Sequence, residues 1–60
     1  MKEGDKFKID SYKVKQWEEK RVVSEVEVLE TPKKYAKNVL VNVKSLRTVA
    51  IVPIKELTSL

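Results

Sequence analysis

The side chains of this sequence that could do chemistry fall mainly in two stretches. Glu25 and Glu27 stand two residues apart, a spacing that puts both carboxylates on one face of an extended strand. Such a pair serves general acid–base work or holds a divalent cation. Its plainer role is a solvated strand face on which each acid opposes a lysine of the next strand, and that is the expectation here. The second stretch, Lys33-Lys34-Tyr35-Ala36-Lys37, sets three lysines around one aromatic ring. Lysines neutralise phosphates and release counterions, and a tyrosine ring stacks on an unpaired base.

Beyond these stretches the chemistry is mostly a matter of absences. Ser11, Ser24, Ser45 and Ser59 have no histidine to activate them, because the chain contains none. With no cysteine either, there is no thiol nucleophile, no disulfide, and no zinc site of the Cys/His kind. Gly4 is the only glycine, so a glycine-rich phosphate loop is excluded. A 60-residue domain fills its interior with its own side chains and leaves no large pocket for a small-molecule substrate. We therefore expect no enzyme, no cofactor and no metal.

The charge balance is uneven. The chain carries 13 Lys and Arg against 9 Asp and Glu, a net +4 with a pI near 9.5. From Thr31 to Ala50 the charged residues are Lys33, Lys34, Lys37, Lys44 and Arg47, with no acid among them. From Arg21 to Glu30 one base faces three acids. No stretch reaches the roughly 20 apolar residues of a membrane span, and the charged start is not followed by an apolar signal core. The sequence reads as one soluble, cytoplasmic domain over residues 1–60.

The elements that must position these residues are strands. Asn38-Val39-Leu40-Val41-Asn42-Val43-Lys44 alternates cleanly, with three valines on one side. That period of two, in β-branched residues, marks a half-buried strand. Gly4-Asp5 signals a turn, and Phe7 and Ile9 share a face in the strand that follows. The apolar phase shifts between Ile9 and Tyr12, which predicts a bulge or bend near Asp10-Ser11. Tyr12 to Trp17 reads as a further strand, or less simply as part of a helix over Tyr12–Lys20, and Glu18-Glu19-Lys20 as a wide loop. Arg21 to Glu30 is the longest strand, with Val22, Ser24, Val26 and Val28 on one face.

Thr31-Pro32 ends that strand. The connection that follows is either an open loop or one helical turn capped by Thr31. Ser45-Leu46-Arg47 is a short turn. Thr48 to Val52 is apolar on both faces, which predicts the most enclosed strand. Pro53 to Leu57 fits a single 3₁₀ turn leading into a short closing strand.

Four or five short strands on a valine-rich core predict a small closed barrel, since closure removes exposed edges. Ile51-Val52-Pro53-Ile54-Lys55-Glu56-Leu57 resembles the passage by which SH3-like barrels run through a 3₁₀ turn into their last strand. Gly4-Asp5-Lys6-Phe7-Lys8-Ile9 resembles the Gly-Asp opening of many small bacterial barrels of this kind. The short, basic, histidine-free form also looks like small proteins of bacterial phages or mobile elements. The resemblance implies an all-β SH3-like barrel. The Ala-Leu-Tyr-Asp-Tyr run, Trp-Trp pair and acidic loop of peptide-binding SH3 domains are absent, as is the glycine-centred motif of ribosome-associated barrels.

Two binding functions follow. In the first, Lys33, Lys34, Tyr35 and Lys37, extended by Lys44 and Arg47, contact the backbone of DNA or RNA with little sequence readout. Lys13, Lys15 and Trp17 form a second candidate surface of that kind. In the second, apolar residues on outer faces, Trp17, Val23, Leu29 and Leu40, meet a protein partner or a second copy of the chain.

Overall fold

The structure is a computed structural model that describes residues 1–11 and 21–60. Among the described residues five antiparallel strands form one sheet: β1 (Lys6–Ser11), β2 (Val22–Val28), β3 (Asn38–Val43), β4 (Thr48–Pro53) and β5 (Leu57–Ser59). Their order across the sheet is β4-β3-β2-β1-β5. Two 3₁₀ turns lie among the described residues, Lys44–Leu46 between β3 and β4 and Ile54–Glu56 between β4 and β5. Among the described residues there is no α-helix, and none long and apolar enough to cross a membrane.

The alternation of the sequence becomes the two faces of this sheet. Ile9, Val22, Val26, Val28, Val39, Val41, Val43, Ala50 and Val52 are buried together on the inner face. Phe7, Ile54 and Leu57 pack against them. Valine predominates because its branched Cβ suits the pleated backbone, and each fully buried valine contributes about 1.5 kcal/mol or more. Ser24 occupies an inner position among the valines of β2. Its hydroxyl donates to the Glu25 carbonyl at 2.8 Å and accepts from the Ser45 N–H at 2.9 Å.

The sheet is strongly curved but does not close. A flat five-stranded sheet would hold its edges about 19 Å apart. The chain from Pro53 to Leu57, which joins one edge to the other, reaches at most about 14 Å. The edges are drawn towards each other around the core, yet β4 and β5 do not pair. The predicted closed barrel is corrected to an open, curled sheet. The connection shows how: the ladder to β3 ends just past Pro53 with the Ile54 N–H on the Lys37 carbonyl, and the 3₁₀ turn then carries the chain across to β1.

Two further expectations change, and one left open is decided. No bulge occurs at Asp10-Ser11, because β1 pairs with β2 in unbroken register from Lys6↔Glu27 to Ser11↔Val22. The bulge lies at the other end of β1. The Gly4 N–H bonds the Val28 carbonyl, and the Val28 N–H bonds the Asp5 carbonyl, both at 2.8 Å, so two residues oppose one. Gly4 has φ +91°, which the turn closed by the Asp5 N–H on the Lys2 carbonyl requires.

The connection after Pro32 is not helical. A single turn is closed by the Ala36 N–H on the Lys33 carbonyl, and Thr31 Oγ1 accepts from the Glu3 N–H instead of capping a helix. Lastly, β4 is an edge strand and not the most enclosed one. Its outer residues Val49 and Ile51 are 54% and 57% exposed. The readings that fell on Tyr12–Lys20, including Trp17, lie outside the described residues.

Candidate interaction surfaces

The outer face is ordered by strand register into rows. One row is apolar. Ile51 of β4 stands opposite Leu40 of β3, and the Leu29 N–H bonds the Leu40 carbonyl at 3.0 Å, which places Leu29 next in line. Beside this row a depression is lined by Pro32, Lys33, Ala36, Leu40 and Ile51. The following rows turn polar. Val49 opposes Asn42, Asn42 opposes Glu27, and Glu27 opposes Lys6.

Glu25 opposes Lys8 across the strands and also meets Lys44, whose Nζ is 3.5 Å from its Oε2. The two acids thus stand among lysines. Among the described residues no three acidic, histidine or cysteine side chains gather where a metal ion would be held.

Of the proposed partner-binding residues, Leu29 and Leu40 are brought together. Val23 lies far along β2 from Leu29, beyond Glu25 and Glu27, opposite Asp10. Trp17 lies outside the described residues. Sequence reasoning missed Ile51, which extends the apolar row to the edge of the sheet, and Val49, which stands two residues before it on β4.

The basic residues are divided between two ends. Lys33, Lys34, Tyr35 and Lys37 form the loop before β3, and Tyr35 is 85% exposed. The Lys34 ammonium sits 5.5 Å from the Tyr35 ring centroid, within cation–π range. Lys44 and Arg47 lie beyond the far end of β3, about 23 Å away along the strand. Lys37 is joined instead by Lys55. The two line one depression with Asn38, Pro53 and Ile54, and the Ile54 N–H bonds the Lys37 carbonyl at 2.9 Å. That neighbour was readable in principle, since a tight turn at Lys44–Arg47 sets Lys37 opposite Ile54.

At a third corner Arg21 clamps Asp10, with Nε 2.7 Å from Oδ1 and Nη2 2.8 Å from Oδ2. This hydrogen bonding, more than the charges of Arg21 and Lys8, holds the Asp10 carboxyl below its ordinary pKa, against a smaller opposing effect of desolvation.

Searches of protein-family models, curated proteins and solved structures return no match to this chain.

Proposed function

We propose that the chain is a non-catalytic protein-interaction module, SH3-like in plan, that binds through the outer face of β3 and β4. One observation carries this reading: the apolar row Leu29–Leu40–Ile51 runs to an edge strand whose Val49 and Ile51 are more than half exposed. Edge strands are ordinarily blunted by charge or proline, and the run Thr48 to Ile54 carries Pro53 near its end but no charge. Exposed aliphatic side chains beside unpaired backbone are the makings of a protein contact. The five-stranded plan and the 3₁₀ turn before β5 support the SH3-like reading, with the seam left open.

The test is a photo-crosslinking side chain placed at position 51 of the full chain and irradiated in an extract of the cells that make it. Discrete polypeptide adducts, lost on Leu40→Lys, are expected.

A second reading rests on Tyr35, whose exposed ring amid three lysines suits single-stranded nucleic acid. Adducts confined to a probe at position 35 and removed by nuclease would establish it and overturn the first.

A further inference from the structure

Among the described residues the outer edge of β4 is unpaired, and it has a definite hydrogen-bonding pattern. The β3–β4 register sets Asn38 opposite Pro53, hence Lys37 opposite Ile54, and that last pair is bonded. Bonded and non-bonded pairs alternate along an antiparallel ladder. Thr48, Ala50 and Val52 therefore direct their backbone groups at β3, whereas Val49, Ile51 and Pro53 direct theirs away from it. The Leu40 carbonyl confirms the phase, because it turns from Ile51 to accept from Leu29. Pro53 fits as well, since its missing N–H falls on the open side. The edge thus offers the N–H and C=O of Val49 and Ile51, four groups in ladder spacing, beneath two exposed aliphatic side chains.

Both ends of this edge carry cations, although Glu56 follows Lys55 in the 3₁₀ turn and Glu30 lines the depression beside Ile51. Arg47 precedes it, and Lys55 and Lys37 follow it. None of the three makes an ion pair among the described residues, whereas Lys44 is matched by Glu25. A second copy pairing antiparallel here would bring Arg47 of each copy towards Lys55 and Lys37 of the other, and like charges would oppose it.

We infer that β4 accepts an extended peptide as a sixth strand, with aliphatic residues facing Val49 and Ile51 and an acidic residue at each end for Arg47 and for Lys55 with Lys37. The partner pattern is acid-x-aliphatic-x-aliphatic-x-acid, its acids about 20 Å apart. This proposal rests on the interaction-module reading and adds the chemistry of the partner.

The test is amide hydrogen exchange of the full labelled chain with two synthetic peptides, Glu-Thr-Val-Thr-Val-Thr-Glu and its counterpart with lysine at both ends. The acid-ended peptide is expected to slow exchange at Val49 and Ile51 by at least about tenfold, and less so as salt rises. The lysine-ended peptide is expected to do nothing, and the double change Arg47→Glu and Lys55→Glu to reverse the preference. Ile51→Pro removes an N–H that serves no β3 bond. It is expected to abolish protection while Val41 and Val43 stay protected, which shows that the fold persists.

Equal protection by both peptides overturns the charge assignment. Protection of Val49 and Ile51 that rises with protein concentration alone assigns the edge to a second copy, which overturns the acidic peptide but keeps the interaction reading. Absence of protection together with absence of crosslinks at position 51 overturns both.

Discussion

The hydroxyl of Ser24, buried in the valine face of β2, accepts the backbone N–H of Ser45 at 2.9 Å. It fastens the middle of the sheet to the 3₁₀ turn that sends the chain into β4. Ser24 also donates to the Glu25 carbonyl, so both capacities of its hydroxyl are used. Ser24→Ala is expected to cost about 1 kcal/mol, read as a lower denaturation midpoint with an unchanged slope. A stability equal to that of the parent would mean that the Ser45 N–H is equally well served by water.

Among the described residues two hold positive φ, and only one of them is glycine. Gly4 lies at +91° with nothing within 4 Å of where a Cβ would stand, so backbone strain alone sets the cost of a side chain. Gly4→Ala is expected to lose about 1–2 kcal/mol. Arg47 lies at φ 51° at the end of the 3₁₀ turn. Arg47→Gly relieves that strain and is expected to gain up to about 1 kcal/mol, despite the looser unfolded chain. Thermal melts of the two variants should move in opposite directions.

The Asp10–Arg21 clamp gives a pH dependence of known sign. A carboxylate whose folded pKa is depressed adds stability that is full above its unfolded value, near 3.8, and is lost as pH falls through the lower folded value. The carbonyl resonance of Asp10 should titrate below 3.8. Asp10→Asn should flatten the acid limb of the stability profile below that pH. A midpoint at or above 3.8 would show that the clamp is not held in solution.

Val41 and Val49 are the same residue type on adjacent strands, buried and exposed respectively. Val41→Ala is expected to cost about 2 kcal/mol, and Val49→Ala less than about 0.5 kcal/mol. In a domain this small the first is a large part of a total of roughly 3–9 kcal/mol. Urea unfolding of both variants measures the difference, and similar losses would place Val49 in the core.

What the sequence revealed and what it concealed have one physical origin. Alternation in Asn38–Val43 and Val22–Val28 reports the two faces of a strand, and both strands bury the valines it assigns. The Pro53 passage reports its own backbone constraint, so the 3₁₀ turn was legible. Alternation says nothing about a strand's neighbours. Thr48–Val52, apolar on both faces, therefore looked enclosed although it borders the sheet. Likewise a run of lysines close in sequence is split by the length of β3, which sets Lys37 and Lys44 at opposite ends.

The pairing of β1 with β5 sets the order in which the molecule assembles. Lys8 stands opposite Thr58, 50 residues away, whereas β3 and β4 are joined by a single turn. Bringing distant segments together costs chain entropy before any contact compensates it, so the meander of β2, β3 and β4 is expected to form early and β5 to dock last. Leu57→Ala should then hasten unfolding and leave the refolding rate nearly unchanged in stopped-flow traces. On the ribosome, the same geometry means that β1 waits for its second neighbour until Leu57–Ser59 have emerged.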